Sequence, residues 1–447
     1  MKLSLSLISL AMLTMAGAQA AVGPDEAKQL GNNLTAVGAE KAGNKDGSIP
    51  AYAGGLTAPP AGYRKGDGIR PDPFAGEKPL FSVDAKNMAQ YAGQLTEGVK
   101  ALMKRYPSYR LDVYPTHRTA AFPKYVADNT AKCALSAKTA NGGISMTGCL
   151  AGFPFPIPKD GFEAMWNHQV RFNGQSYTLK FQSFNVDASG GVNMAAAGTV
   201  IQEYPYWDSG KTATDTYFKL KVNYTGPARR NGEAIMVVDP LDYAARGRRA
   251  WQYLPGQRRV KLAPQIAFDA PNPSTAGATT YDDSFIFSGS MERYNFKLIG
   301  KKEMFVPYNA YKLAYASTPE NVFKPNHLNP DVVRWERHRV WVVEATLAEG
   351  KRHIYSKRTF YLDEDSWVAV SSDAYDGRGQ LYRSGFAYIA PSYELPAPFA
   401  DMNGHYDLAA GIYGLNFYTA ASGGVRYTPP LPEKEFTPES LAGSGVR

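Results

Sequence analysis

The side chains that could carry out acid–base or metal chemistry in this 447-residue chain are few and scattered. Its six histidines form no His-Glu-x-x-His pair. The sequence also lacks a Gly-x-Ser-x-Gly motif, a Walker-type Gly-x-x-x-x-Gly-Lys and a dinucleotide-type Gly-x-Gly-x-x-Gly. Because the common catalytic motifs are absent, we predict a protein that is not an enzyme and needs no cofactor.

Two histidines lie on one predicted hairpin, which turns at Glu349-Gly350. A tight turn there places His353 opposite roughly Thr346, and His338 opposite roughly Tyr361. The two imidazoles are then too far apart to bind one ion together. We therefore predict no metal site.

Trp166, Asn167 and His168 bring together an indole, an amide and an imidazole. They follow a proline-rich stretch whose backbone groups lack sheet partners. One interpretation is that Asn167 and His168 satisfy those backbone groups, since buried polar groups need hydrogen bonds. The other is that the three residues form a polar anchor at the lip of a ligand cavity.

Five further aromatic residues lie on predicted strands and could line an apolar pocket or simply form core. A sheet curled too widely for its own side chains to fill encloses space for a ligand. We select as candidate cavity residues Trp251, Tyr253, Trp341, Tyr361 and Trp367.

Basic residues are concentrated between positions 229 and 261, where only three acidic residues occur. Guanidinium groups in turns would face solvent and could bind carboxylate or phosphate. The alternative is a solvated rim with local ion pairs. The candidate docking face for anionic groups consists of Arg229, Arg230, Arg248, Arg249, Arg258 and Arg259.

The element that must position these residues is the stretch 152–167. Prolines at every second position (Pro154, Pro156 and Pro158) forbid helix and remove sheet donors, so we predict an extended strap. Asp160, with Glu163 three residues later, predicts a short helix that starts at Gly161.

The first 20 residues have the pattern of a cleaved secretory signal, with cleavage after Ala20. No later apolar stretch is long enough to span a membrane. In an oxidising compartment, Cys133 and Cys149 are most simply a disulfide. The formal charge of +8 is modest for this length, and export removes nucleic acid as a partner. We predict a periplasmic protein.

The rest of the chain divides by periodicity. Residues 21–82 predict an extended arm, and residues 83–105 predict a helix with one apolar face. From residue 175 to 390, alternating strands and turn signals predict an antiparallel meander that includes four hairpin-linked strands between 337 and 388. Residues 391–447 predict an irregular second arm and tail.

Several of these stretches resemble a known family. The run Gly152-Phe-Pro-Phe-Pro-Ile-Pro-Lys-Asp-Gly161, with Tyr114 to Arg118, Trp251 to Val260 and Arg337 to Glu344, is similar to the bacterial exported family called domain of unknown function 1329. Trp251 to Val260 and Tyr361 to Trp367 also resemble the strand-turn-strand phrases of Lol-type periplasmic lipoprotein carriers.

The resemblance implies a mainly β fold: a large curled antiparallel sheet forming an incomplete barrel, with helices on its concave side. It implies one such domain over residues 83–390, comprising a helical lead-in 83–150, the strap 151–160 and the sheet 175–390. It further implies a carrier of a lipid-like molecule or acylated cargo that works with an inner-membrane exporter or an outer-membrane protein.

Two alternatives to a carrier remain. An envelope assembly factor would bind proteins through the sheet edge and the strap, with no small ligand. A periplasmic hydrolase would need a nucleophile or a carboxylate pair inside the cavity.

Overall fold

The computed structural model describes residues 22–444. The predicted signal segment, residues 1–20, lies outside them. The α-helices of the described chain are α1 (Pro24–Ala27), α2 (Glu97–Arg105), α3 (Lys124–Ser136), α4 (Gly161–Gln169), α5 (Tyr311–Tyr315), α6 (Pro319–Val322) and α7 (Pro438–Ser444). None of these described helices is long and apolar enough to cross a bilayer.

The strands fall into two long series and several short pieces. Those of the first part are β1 (Phe81–Val83), β2 (Leu111–Val113), β3 (Lys138–Ala140), β4 (Ser145–Thr147), β5 (Ser176–Val186), β6 (Val192–Glu203), β7 (Thr216–Gly226), β8 (Ala234–Pro240), β9 (Arg249–Leu254) and β10 (Arg259–Leu262). Those of the second part are β11 (Tyr294–Pro307), β12 (Trp335–Leu347), β13 (Lys357–Asp363), β14 (Ala369–Tyr375), β15 (Leu381–Ala387), β16 (Asn403–Asp407), β17 (Ile412–Tyr418) and β18 (Val425–Tyr427).

Sixteen of these strands form one open sheet, and β3 and β4 form a separate pair. β5 to β10 make one antiparallel meander and β11 to β17 make another, and the two join where β17 pairs with β5. β10 ends the sheet on one side, while β11 and the short β1 and β2 lie at the other. The predicted fold class, mainly β with one large antiparallel sheet that does not close, is confirmed.

The sheet curls around α4. This helix packs on β11 and β12, while the ring of its Trp166 lies edge-on to Tyr217 of β7, with 6.0 Å between ring centroids. Strands far apart in the sheet order therefore meet on one helix, which places α4 on the concave side. Helix α2 packs on β14 and β15 with a separate apolar cluster, and α7 packs on β8 to β10.

The strap and its helix form as their sequence predicts. The Asp160 carboxylate accepts from the Glu163 backbone N–H at 2.9 Å, so it caps α4. Gly161 is required because a Cβ there would lie 2.6 Å from the Phe296 backbone carbon of β11. Cys133 and Cys149 form the predicted disulfide, which joins the end of α3 to the start of the strap.

Three elements differ from their predictions. The helix expected over 83–105 is a 3₁₀ helix, Met88–Gln94, followed by α2, because Leu95 is extended and the Thr96 hydroxyl caps α2 by accepting from Val99 N–H. The segment 391–447, expected to be irregular, contains β16 to β18 and α7. Its strands are short and Gly-rich, so their alternation is difficult to see.

The third difference is the register of the hairpin between β12 and β13. Thr346 pairs with Lys357, and Val342 pairs with Tyr361. The register is shifted because the connection spans 348–356 rather than a two-residue turn. His353 lies in this connection and not on a strand, and the four hairpin-linked strands themselves, β12 to β15, are present as predicted.

Candidate functional site

The concave face of β5 to β8 encloses an apolar cavity of about 60 Å³. Alternate residues of a strand point to the same face, so β7 supplies Phe218, Leu220, Val222 and Tyr224 from one side of the sheet. The other lining residues are Phe181, Ile235, Val237, Arg248, Ile266, Asn272, Ser274, Tyr281, Ser284, Phe285, Ser288, Asn416 and Phe417.

The roof of the cavity is the connection between the two meanders, residues 263–293, which we call the covering segment. Its regular structure consists of two 3₁₀ turns, Pro273–Thr275 and Tyr281–Asp283. Connections this long without helices or strands are uncommon in compact domains and usually have a function, such as closing a site. The covering segment is thus the part of the chain best suited to control access to the cavity.

The covering segment has a strained backbone. Phe268, Ala276, Phe285 and Ile286 all have positive φ, a conformation that favours glycine. Ile286, at φ 72°, is a genuine outlier because its side chain is β-branched. Such strain persists only where surrounding contacts impose it.

Those contacts come from a buried ion-pair cluster, which we call the anchor. Arg358 of β13 lies 3.2 Å from an Asp282 carboxylate oxygen and 2.9 Å from one of Asp283, and it donates to the Ile286 carbonyl at 3.0 Å. His353 lies 2.9 Å from Asp282. Burial by itself raises the pKa of Asp282, but the charge of Arg358 and the bond from His353 outweigh it, so the pKa is lowered.

Beneath the anchor lies His405 of β16, which is 2 % exposed. Neither ring nitrogen has a hydrogen-bond partner among the described residues. Burial, reinforced by Arg358 and Arg383 and opposed by Asp283 and Asp282, lowers its pKa to about 4. The concave face therefore holds a neutral histidine at physiological pH.

We predict that acid destabilises the protein through His405. The pKa of an unfolded histidine is near 6.5, so the stability that His405 contributes by remaining neutral is complete above pH 6.5 and is lost as the pH falls toward 4. Between pH 7 and pH 4.5, the wild type should lose about 2.5 kcal/mol more free energy of unfolding than His405→Gln. Urea denaturation at both pH values measures this difference, and equal losses would contradict the prediction.

At the other end of the cavity, Arg248 forms a buried ion pair. It donates to both Asp239 carboxylate oxygens, at 2.8 and 2.7 Å, and to the Ser288 hydroxyl at 2.6 Å. Arg248 and Ser288 also line a surface cleft of about 180 Å³. They therefore stand between the apolar cavity and the outside.

The three residues after the strap are buried and satisfied by the chain itself. The indole Nε1–H of Trp166 donates to the Gly143 carbonyl at 2.8 Å, and the Asn167 amide bonds both the N–H and the C=O of Phe155. His168 Nδ1 accepts from Ala369 N–H, so its Nε2–H donates to the Phe287 carbonyl. Asn167 alone of the three bonds the strap backbone.

The five candidate aromatic residues on strands lie outside the cavity lining. Trp341 stacks on Trp367 with 6.2 Å between centroids, and the Trp367 Nε1–H donates to Val37 of the N-terminal arm. The Tyr361 hydroxyl donates to Asp373 at 3.3 Å. Trp251 and Tyr253 pack with residues of α7 on the opposite face of the sheet. The cavity is built instead from residues whose alternation predicts only a strand face.

The six arginines of the candidate docking face do not form one surface. Arg230 pairs with Glu233, Arg248 pairs with Asp239, and both guanidinium groups are buried. The other four remain exposed: Arg229, Arg249, Arg258 and Arg259. Arg249 begins β9, whereas Arg258 and Arg259 follow its far end, which separates them by roughly 17 Å at the rise of a strand.

A second buried charged cluster joins the stretches that carry the family resemblance. His338, Asp363 and Asp365 offer ligand atoms within 4.8 Å of one another. Arg118, however, donates to both oxygens of Asp365, and His338 lies 3.0 Å from Glu336. Burial, followed by the charge of Asp365, raises the pKa of Asp363 to about 7. Because Arg118 also bonds carbonyls of residues 40–50, this cluster attaches the N-terminal arm.

Comparison with known proteins gives two kinds of match. The pattern of the family described as "Protein of unknown function (DUF1329)" matches residues 82–442. The chain is also 39% identical over 437 residues to the uncharacterized protein PA3922 of Pseudomonas aeruginosa, and the match covers 96% of this chain and 95% of that protein.

Solved structures show weaker similarity. A putative outer membrane lipoprotein-sorting protein domain from Vibrio parahaemolyticus has 15% identity and a TM-score of 0.44, covering 63% of this chain and 98% of that one. A DUF1329 family protein from Desulfovibrio piger has 16% identity and a TM-score of 0.41, covering 62% and 95%. The LolA superfamily protein NE2245 from Nitrosomonas europaea has 14% identity and a TM-score of 0.36, covering 60% and 93%.

Proposed function

This chain belongs to the DUF1329 family of proteins of unknown function, and on that premise we propose that it is a periplasmic carrier that binds a lipid-like molecule in the cavity under the covering segment. The observation that carries the proposal is an apolar cavity roofed by a long, strained, irregular connection. Binding needs no chemistry. Removing apolar surface from water contributes about 25 cal/mol per Å².

The cavity is too small for a lipid chain while the covering segment is closed. A volume of about 60 Å³ corresponds to roughly two water molecules in liquid water. We therefore propose that cargo takes the place of part of the covering segment, which is held down by the anchor and by Ser288. Strain at Phe285 and Ile286 would reduce the free energy needed to lift it.

The composition of the lining favours binding over catalysis. Among the described residues that line the cavity there is no carboxylate, histidine or cysteine, and its one cation, Arg248, is already paired with Asp239. The serines in the lining therefore have no neighbouring base to activate them. The Cys133–Cys149 disulfide suits an oxidising compartment such as the periplasm.

A second candidate function, an envelope assembly factor, is favoured by one surface feature. Leu80 and Phe81 of the sheet end are 65 % and 37 % exposed, and they line a groove of about 430 Å³ with Tyr91 and Phe305. Such a groove suits an apolar side chain of a protein partner. Native mass spectrometry of the protein from its own periplasm separates the candidates, because a carrier brings a stoichiometric apolar molecule and an assembly factor brings a protein.

The variant Val222→Phe tests the location of the cargo site. Its aromatic ring would fill the cavity, so we expect the affinity for a fluorescent apolar probe such as N-phenyl-1-naphthylamine to fall at least about tenfold, which corresponds to about 1.4 kcal/mol. Val370→Phe is the matched control, because Val370 is equally buried in the same core but does not line the cavity. Unchanged binding by the Val222 variant would place the site elsewhere, and no probe binding by the wild type would reject a carrier.

A further inference from the structure

One row of residues crosses the sheet from the cavity to its free edge. Directly opposed residues of antiparallel strands point to the same face. Val222 pairs with Ile235, Ile235 with Gln252, and Gln252 with Lys261. Val222 and Ile235 line the cavity, so Gln252 and Lys261 also lie on the concave face. Along this row the side chains change from apolar to neutral polar to cationic.

A second cation lies beside the first at the same edge. Arg259 is two residues from Lys261 on β10 and therefore shares its face. Both side chains are exposed, and neither makes an ion pair with any described carboxylate, unlike Arg230 and Arg248. β10 is the last strand of the sheet, so this pair has no neighbouring strand beyond it.

The opposite face of the same strands has a different character. Trp251 and Leu262 pair with each other, as do Tyr253 and Val260, and α7 packs over this face. Arg249 belongs to it as well, because it alternates with Ala250 and lies over the Trp251 ring. The unpaired cations on the cavity side are thus Arg259 and Lys261.

Resting on the proposed function, we infer that the cargo is an anionic amphiphile, whose apolar chain lies in the cavity while its carboxylate or phosphate head group binds Arg259 and Lys261. Two strand spacings separate Ile235 from Lys261, about 10 Å. That separation fits a molecule whose charge is at the end of a chain or on a short polar linker. The head group would remain near solvent, so the cations would select the cargo without a large desolvation cost.

The test compares amphiphiles that share one chain and differ in charge. The probes are 1-oleoyl lysophosphatidic acid, monoolein and oleate, each below its micelle concentration, added to displace N-phenyl-1-naphthylamine. In Arg259→Gln/Lys261→Gln we expect lysophosphatidic acid or oleate to bind roughly fivefold more weakly, as for two exposed ion pairs, while monoolein is unchanged. A response of oleate alone identifies a carboxylate head group, and a response of lysophosphatidic acid alone identifies a phosphate.

The control variant is Arg229→Gln/Arg249→Gln, which removes the same net charge from exposed positions off this row. It should leave the affinity for every probe within about twofold of wild type, since exposed charges are screened beyond roughly 10 Å at 0.1 M salt. An equal loss in both double variants, or no preference of the wild type for the charged amphiphiles, would overturn the inference and leave the carrier function standing. Failure of all probes to bind would instead reject the carrier function.

Discussion

Replacing Arg358 by leucine should lower the free energy of unfolding by about 3–5 kcal/mol, because removing one partner of a buried ion pair leaves an uncompensated buried charge. Arg358 is fully buried and neutralises two carboxylates, those of Asp282 and Asp283. After the substitution their closest remaining partners are His353 and Tyr355. Urea denaturation gives the magnitude.

The structure also states where this loss should appear first. The bond from Arg358 to the Ile286 carbonyl and the two ion pairs hold the covering segment, so limited proteolysis of Arg358→Leu should cut within residues 263–293 before the sheet unfolds. The rescue variant Asp282→Asn/Asp283→Asn/Arg358→Leu should recover part of the stability, since it removes the orphaned charges.

Lys357→Leu is the matched control for this prediction. Lys357 is adjacent in sequence, and its side chain is 38% exposed with a weak contact to Glu344. We expect a change below about 1 kcal/mol, as for other surface pairs. A loss in Arg358→Leu no larger than in this control would show that the anchor does not hold the covering segment.

Replacing Trp166 by alanine should cost about 3–5 kcal/mol of the free energy of unfolding, as is usual for a buried tryptophan. Its ring is fully buried inside the curl of the sheet, where it contacts Tyr217 and Tyr243. The variant also leaves the Gly143 carbonyl without its donor. Because α4 holds distant strands together, the loss should be global and cooperative, as measured by near-UV circular dichroism during urea denaturation.

Trp251→Ala provides the comparison on the same residue type. Trp251 is only partly buried beneath α7, so its removal should cost about 1 kcal/mol or less and should leave apolar probe binding intact. If Trp166→Ala folds with wild-type stability but loses probe binding, then Trp166 is a ligand-binding residue and its structural role is refuted.

The anchor and the edge cations divide the proposed carrier's work between two levels of strength. Buried pairs such as Arg358 with Asp283 keep the covering segment closed, whereas exposed groups such as Lys261 meet the cargo. A closed state with a cavity of about 60 Å³ then protects the apolar surface from water until cargo displaces the segment. Both levels act through charge, so salt should weaken recognition by exposed cations more than closure by buried pairs.

The sequence by itself determined the local elements. Proline spacing set the strap, Asp160 and Glu163 set the start of α4, and two-residue alternation set strands such as β7, because these signals depend on neighbours within a few residues. It also carried the disulfide between Cys133 and Cys149 and the family motifs, which are matters of residue identity.

Only the tertiary structure decided which face of those strands encloses the cavity. The alternation of Phe218, Leu220 and Val222 shows that one face is apolar, but the covering segment reaches that face from positions 263–293, which no local pattern specifies. The aromatic residues selected from sequence, Trp251 among them, pack elsewhere because α7 and the N-terminal arm cover their faces. Likewise, Arg248 and Lys261 are equivalent cations in sequence, and only the position of Asp239 separates a buried ion pair from an exposed, unpaired cation.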